Sequence, residues 1–231
     1  MATFRYSQFC ALARAAEILG ERWTLPILRE ILIGPRRFSD LRRRLDGISS
    51  SVLTERLGVL EARGLVRRTT LEPPAASVVY ELTEDGRALE PGVLALIRWG
   101  ARFLLPPRRG DRLDPDWAFL ALAACARRGP TPRHAYVIRM PRGGQEVAVY
   151  VAGGSQGTTV SRHARGVDVD ITTTPAVAFG LMSGVVKPRE AQHDGRARVE
   201  GDLKAFEAFP RLFEVDMGKP AQRSRTEETA R

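Results

Sequence analysis

Apolar positions in the first third of the chain recur every three or four residues, which is the spacing of one face of an α-helix. The first stripe precedes Gly20 and consists of Leu12, Ala15, Ala16 and Leu19. The second precedes Gly34-Pro35 and consists of Trp23, Ile27, Leu28, Ile31 and Leu32. Because Gly-Pro cannot continue a helix, the pattern predicts two helices and then a short extended piece at residues 36–38.

Two more helices are predicted on either side of a tight turn. Ser39 is the expected N-cap of the first, whose apolar face carries Leu41 and Leu45. Gly47 supplies the turn, and one of the serines at 49–51 caps the second helix, over about residues 50–63.

The helix over about 50–63 combines an apolar face with a small polar one. Its apolar face carries Leu53, Leu57 and Leu60, and its opposite side carries Ser51, Thr54, Glu55 and Gly58. Such a helix suits the DNA major groove, where hydroxyls and N–H groups at its start can meet phosphates or base edges. Sparse base contacts are expected, because Gly58 offers no side chain.

A two-stranded ribbon is predicted over about 65–82. Arg67 and Arg68 lie on its first strand, and apolar side chains alternate along the returning strand. The tip, residues 73–76, is uncharged. If the ribbon is a wing, its contacts with the DNA backbone or minor groove are therefore expected from the two arginines at its base.

Composition adds only a mild preference for a polyanionic partner. The formal net charge is +9, but 33 of the 36 basic residues are arginine, as a GC-rich genome would also produce. Residues 1–110 carry a net +6 and residues 111–231 a net +3, so the excess lies with the helix–turn–helix pattern. No apolar run approaches the roughly 20 residues that cross a bilayer, so a cytoplasmic protein without membrane contact is expected.

The second half begins after the Pro- and Gly-rich stretch 106–110, which predicts a domain boundary. A helix is expected around Trp117–Cys125, and a long helix from Thr83 to about Leu105, bent at Pro91, precedes the boundary. Period-two patterning then predicts strands at 136–140, 147–151, 158–161 and 167–171. Helices are predicted at 175–183 and 202–213, and a polar tail at 217–231 is expected to be disordered.

The segments LGERWTLPILREILIGPRRFSDLRRRLDGIS, LTERLGVLEARGLV and VVYELTEDGRALEPGVLALIRW resemble the HxlR family of winged helix–turn–helix regulators, which are MarR-like. The resemblance covers about residues 6–105 and implies a homodimer that binds double-stranded operator DNA. The DNA-binding candidates are Arg36, Arg37, Ser39, Ser49, Ser50, Ser51, Thr54, Glu55, Arg67 and Arg68. The implied interface residues, which could equally be buried within one chain, are Leu12, Ala16, Leu19, Leu89, Val93, Leu96, Ile97 and Phe103. The run Arg42-Arg43-Arg44 is either a solvated helix face or a phosphate contact.

The run VDVDITTTPAVAFGLMSGVVKPREAQHDGRARVEGDLKAFEAFPRLF resembles the sterol carrier protein-like fold, a sheet with helices around an apolar tunnel. The resemblance implies an α+β protein: a winged helix–turn–helix domain (1–109) followed by a sterol carrier-like α/β sandwich (110–216). Side chains that would line a cavity for an apolar small molecule are Trp117, Phe119, Phe179, Leu181, Met182, Phe206, Phe209 and Phe213. An ordinary filled core explains the same residues equally well.

Catalytic and cofactor chemistry is not expected. The three histidines are scattered without metal-ligand spacing, so neither a metal site nor a cofactor is predicted, and the chain is expected not to be an enzyme. With only two cysteines there is no disulfide framework. Cys10 is either a redox-sensing thiol, as in some HxlR-type regulators, or a small buried residue.

The function expected from sequence is a homodimeric transcriptional regulator, modulated by an apolar small molecule in its second domain. One alternative is a lipid- or metabolite-binding protein whose winged helix serves assembly. Another is sequence-independent DNA binding through arginines.

Overall fold

The computed structural model describes residues 5–72, 74 and 76–217 of the 231-residue chain. Pro73 and Ala75 of the expected wing tip lie outside the described residues, as does the expected disordered tail from residue 218 onward.

The helices that precede the ribbon follow the apolar stripes. They are α1 (Ala11–Leu19), α2 (Thr24–Ile33), α3 (Phe38–Arg44) and α4 (Ser50–Ala62). Their buried side chains form one core, which includes Ile27, Leu28, Ile31, Leu41, Leu45, Leu53, Leu57 and Leu60. The predicted faces of α2, α3 and α4 are therefore confirmed. The predicted face of α1 is not, because Leu12 is exposed and Ala13 is the buried residue of that helix.

The start of α3 differs from the prediction. Phe38 already occupies the first helical position and packs against the core. Arg37, extended at φ −71° and ψ 156°, is the N-cap and makes no side-chain capping bond. The prediction that Ser39 caps this helix is wrong, because Phe38 packs against the core and the helix begins two residues earlier than a Ser39 cap would place it.

The predicted ribbon is confirmed as an antiparallel pair, β1 (Val66–Thr70) and β2 (Val78–Leu82). Arg36 extends it by a single bridge: its N–H donates to the Tyr80 carbonyl at 3.0 Å, and the Tyr80 N–H donates back at 2.7 Å. The extended piece before α3 therefore anchors the ribbon against the helices.

The long helix predicted from Thr83 to Leu105 is two helices, α5 (Glu84–Ala88) and α6 (Glu90–Gly100), followed by a 3₁₀ turn at Ala101–Phe103. The break falls at Leu89, just before Pro91. Proline has no N–H to donate to the carbonyl four residues earlier, and its ring crowds that carbonyl, so the helix restarts here instead of bending.

The chain folds as two compact units, which divide within α6: an N-terminal unit ending at Val93 and a C-terminal unit beginning at Leu94. The division precedes the Pro- and Gly-rich stretch because Ile97, Ala101 and Leu105 pack into the C-terminal core. A boundary between functional domains after residue 109 stays a prediction.

The C-terminal unit contains a five-stranded sheet in the order β5-β4-β3-β6-β7. Its strands are β3 (Ala135–Arg142), β4 (Gln145–Ala152), β5 (Thr159–Ser161), β6 (Val169–Thr173) and β7 (Ala197–Gly201). Neighbouring strands are antiparallel except β3 and β6, which are parallel. Gly143-Gly144 closes the β3–β4 hairpin with φ of 51° and 83°, values that favour glycine at both turn positions.

Helices cover one face of this sheet. They are α7 (Pro115–Cys125), α8 (Pro175–Ser183), α9 (Pro188–His193) and α10 (Leu203–Ala208). The helix predicted over 202–213 is shorter, because Asp202 caps α10 and a 3₁₀ turn follows at Phe209–Leu212, with Pro210 at its second position. The predictions for α7 and α8 are confirmed.

An ion cluster that the sequence did not reveal holds the start of α7. Asp116 is buried and accepts hydrogen bonds from Arg142 at 2.7 Å and Arg162 at 2.6 Å. Burial by itself raises the pKa of Asp116, but the two guanidinium groups lower it below its ordinary value. The cluster therefore stabilises the folded unit above the unfolded-state pKa, and this contribution is lost as pH falls through the lowered folded-state pKa.

Candidate nucleic-acid interface

Helix α4 presents an exposed hydroxyl edge opposite its buried leucines. Ser51, Thr54 and Gly58 are exposed, whereas Leu53 and Leu57 are fully buried. The side chains that could reach DNA are therefore short and polar, and the helix needs no repacking to present them. This arrangement permits close approach of the backbone to a groove.

Three serines at the start of α4 have different roles. Ser49 is the N-cap, and its Oγ accepts the Val52 N–H at 3.2 Å. Ser49 Oγ and Ser51 Oγ are 3.0 Å apart and share a hydrogen bond. Ser50 is half-buried and accepts a hydrogen bond from Arg42 of α3. Ser51 is thus exposed and, unlike Ser49, does not cap the helix.

Glu55 is less available than the sequence implied. It is half-buried, and its carboxylate accepts a hydrogen bond from Arg56 at 2.7 Å. Arg56 also pairs with Glu21 at 3.4 Å. A contact from Glu55 to a base would have to compete with this ion pair.

Arg36 and Arg37, the two residues before α3, have different roles. The Arg36 guanidinium turns inward, and its Nε donates to the Glu30 carbonyl at 3.2 Å, while its backbone holds β2. Arg37 and Ser39 are exposed. Arg37 therefore keeps the predicted access to phosphate, whereas Arg36 acts mainly in the fold.

The wing arginines lie on opposite faces of the ribbon, because successive strand residues alternate. Arg67 Nε donates to Glu81 at 2.8 Å, and the pKa of Glu81 lies below its ordinary value because Thr69 and Arg67 both donate to it. Arg68 pairs with Glu61 at 3.1 Å and stacks over Tyr80 at 5.4 Å. Both are exposed, but each already has a carboxylate partner.

A buried ion pair beneath the interface escaped prediction. Glu30 is fully buried on α2 and accepts hydrogen bonds from Arg44 at 2.5 Å and from Arg29 at 2.7 Å. The sequence did contain a sign that Glu30 is buried. It follows Ile27 by three residues and so lies on the same side of the helix. The pair joins α2 to the end of α3.

The predicted interface residues differ in exposure. Leu12, Leu96 and Phe103 are exposed, whereas Val93 is buried and Ile97 packs into the C-terminal core. The remaining three, all half-buried, are Ala16, Leu19 and Leu89. Val93 and Ile97 are thus already covered within one chain.

Trp99 was missed as an interface candidate. It is 58% exposed and lies edge-on to the 59%-exposed Phe103, with ring centroids 5.2 Å apart. Its spacing of three residues from Leu96 and four from Phe103 could have revealed it. These three side chains form an exposed stripe that runs from the end of α6 into the 3₁₀ turn after it.

Cys10 is exposed at the N-cap of α1, so the alternative of a small buried residue is wrong. Arg14, the cation one turn away, donates to Glu17 at 2.8 Å. The positive charge of Arg14 is therefore partly compensated by Glu17. A redox role stays a prediction.

The predicted cavity residues mostly fill the C-terminal core. Six of them belong to one buried cluster: Phe179, Leu181, Met182, Phe206, Phe209 and Phe213. Phe209 stacks edge-on against Tyr136 at 5.2 Å, and the Tyr136 hydroxyl donates to the Ala205 carbonyl at 2.8 Å. Trp117 and Phe119 are only partly buried.

Within the part of the chain that the structure describes, no group of three or more His, Cys, Asp or Glu side chains could hold a metal ion. Nor is any helix in that part long and apolar enough to span a membrane.

The helix pair α3 and α4, joined by a tight turn and followed by the two-stranded ribbon, is the arrangement of the winged helix–turn–helix class of DNA-binding proteins. Residues 18–107 match the HxlR-like helix-turn-helix family. The chain belongs to this family.

Two relatives illustrate the match. The uncharacterized HTH-type transcriptional regulator YvaP of Bacillus subtilis is 34% identical over 101 residues, which is 43% of this chain and 94% of the relative. The HTH-type regulator MT3179 of Mycobacterium tuberculosis is 42% identical over 97 residues, 42% of this chain and 61% of the relative. The matched segment thus spans less than two thirds of the mycobacterial protein. Relatives with such names are transcriptional regulators, a class that is not enzymatic.

Among solved structures, the reduced form of the transcriptional regulator YodB from B. subtilis is 32% identical, with a TM-score of 0.37. The similarity covers 44% of this chain and 100% of that one.

Proposed function

We propose that the protein is a homodimeric transcriptional regulator that binds operator DNA with α4 in the major groove and the ribbon as its wing. The observation that carries the proposal is the exposed edge of Ser51 and Thr54 opposite the buried leucines of α4. Family membership supports the same assignment.

The proposed contacts rank by accessibility. Ser51 and Thr54 read base edges, since both hydroxyls are exposed on the groove-facing side. Arg37 and Ser39 bind backbone phosphate. The candidates that already form hydrogen bonds or ion pairs within the protein contribute less to DNA affinity. They are Arg36, Ser49, Ser50, Glu55, Arg67 and Arg68.

Protection of genomic DNA by the full chain at physiological salt tests this function. Specific binding should keep a ratio of operator to random-sequence affinity of at least about 10³. A ratio near one would support the alternative in which the winged helix serves assembly or non-specific binding.

The double variant Ser51→Ala, Thr54→Ala should lower that ratio by about 10-fold, because two neutral hydrogen bonds to bases, each contributing about 0.5–1.5 kcal/mol, would be lost. Its matched control is Ser155→Ala, an exposed serine in the C-terminal unit, which should leave the ratio unchanged. An unchanged ratio in the double variant would remove α4 as the reading element.

The proposed function includes a sterol carrier-like C-terminal domain that binds an apolar small molecule. The five-stranded sheet with helices packed against it supports the fold of this domain, and the partly buried Trp117 and Phe119 are the side chains proposed to meet the ligand. A ligand can alter operator affinity only by favouring one conformation over another. Small molecules extracted from the purified protein, then titrated back during operator binding, test the coupling; an operator affinity unchanged by every molecule that binds would contradict it.

A further inference from the structure

The three consecutive arginines of α3 have different partners. Arg44 is buried against Glu30, and Arg43 pairs with Asp40 at 2.8 Å. Arg42 is exposed, and the partner its guanidinium contacts is the neutral hydroxyl of Ser50. Among the described residues, Arg43 and Arg44 each pair with a carboxylate, whereas Arg42 contacts the uncharged hydroxyl of Ser50 and no carboxylate.

This difference decides which guanidinium is available to an external anion. A phosphate that approaches Arg43, Arg67 or Arg68 must displace or share an internal carboxylate. A hydroxyl carries no net charge, so Arg42 keeps its full attraction for a phosphate. Arginine has five N–H donors in a planar fork, and one bond to Ser50 leaves a free edge for bidentate contact.

The position of Arg42 matches that availability. Its hydrogen bond to Ser50 places the guanidinium beside the first turn of α4. Ser51, next along the chain, is exposed, and its hydroxyl bonds that of Ser49. The Arg42 guanidinium therefore lies next to the side of α4 that is proposed to enter the major groove. A DNA segment bound there would bring its backbone phosphates close to this cation.

We propose that Arg42 binds a backbone phosphate of duplex DNA beside α4 and sets the register of that helix. The proposal rests on the proposed function and adds a contact that the sequence left open between a solvated face and phosphate binding. The hydrogen bond to Ser50 holds the guanidinium in place, so the phosphate contact and the placement of the hydroxyl edge are coupled.

The test is the salt dependence of binding by the full chain to a short mixed-sequence duplex. For Arg42→Ala, the slope of log K against log salt should become shallower by about 0.9 for each copy that contacts phosphate. Arg42→Lys should keep the wild-type slope, because it keeps the charge. Arg43→Ala, the matched control one residue away, should also keep it, because Arg43 is compensated by Asp40.

A wild-type slope in Arg42→Ala would overturn the phosphate contact while leaving the proposed function intact. An equal loss in Arg43→Ala would overturn it too, since the effect would then follow the general charge of α3. Wild-type protein with no salt-dependent DNA binding would overturn both this inference and the proposed function.

Discussion

Replacing Glu30 with alanine should destabilise the N-terminal unit by about 3–5 kcal/mol, although its carboxylate is not among the proposed DNA contacts. Glu30 is fully buried, and Arg44 is almost fully buried against it. Removing the carboxylate leaves the buried Arg44 guanidinium charged and takes away its hydrogen bond to Glu30. The loss of this carboxylate costs Arg29 less free energy, because its side chain is partly exposed to water.

Hydrogen exchange of the α2 and α4 amides measures this loss in the N-terminal unit alone. The C-terminal amides provide an internal control and should not change. The double variant Glu30→Leu, Arg44→Met should recover most of the stability, because exchanging a whole buried pair for apolar side chains is often neutral or stabilising. If the single variant were as stable as wild type, the pair would not be holding α2 to α3.

Trp99→Glu should weaken the proposed homodimer at least about 30-fold, because a buried interface tryptophan commonly contributes 2 kcal/mol or more. Trp99 is 58% exposed in the single chain, beside Phe103 and Leu96. Dimerisation would cover this stripe, and a carboxylate placed within it would have to be desolvated without a partner. Sedimentation equilibrium of the full chain measures the change.

Leu203→Glu is the matched control, because Leu203 is also an exposed apolar residue and lies in the first turn of α10, where an acidic side chain is tolerated. It should dimerise like wild type. A Trp99→Glu variant that dimerised with wild-type affinity would exclude this stripe from the interface. Operator affinity should fall together with dimerisation if two half-sites are bound.

The periodic part of the fold was predictable from local pattern. Leu53, Leu57 and Leu60 share a helical face because their spacing places them there in any helix. Gly143-Gly144 marked its hairpin in the same way, since both positions need positive φ. The break at Leu89 was misjudged as a bend, because a proline in a helical pattern is compatible with either a kink or a break.

The candidate site was only partly predictable. The exposed positions of Ser51 and Thr54 follow from periodicity. The engagement of Arg36 by the Glu30 carbonyl, and of Arg67 by Glu81, depends on residues that approach only after folding. Charge counted along the chain therefore overestimated how many arginines are available to DNA.

The sequence by itself determined the helix–turn–helix order, the apolar faces and the polar edge of α4, because these depend on spacing within single elements. Only the tertiary structure decided that Arg44 is buried against Glu30 of α2 and that Arg42 contacts Ser50 of α4, because these partners lie on other elements, whereas Arg43 pairs with Asp40 within α3. The same reason applies to Glu30. Its role as a buried counterion exists only once α2 and α3 have packed together.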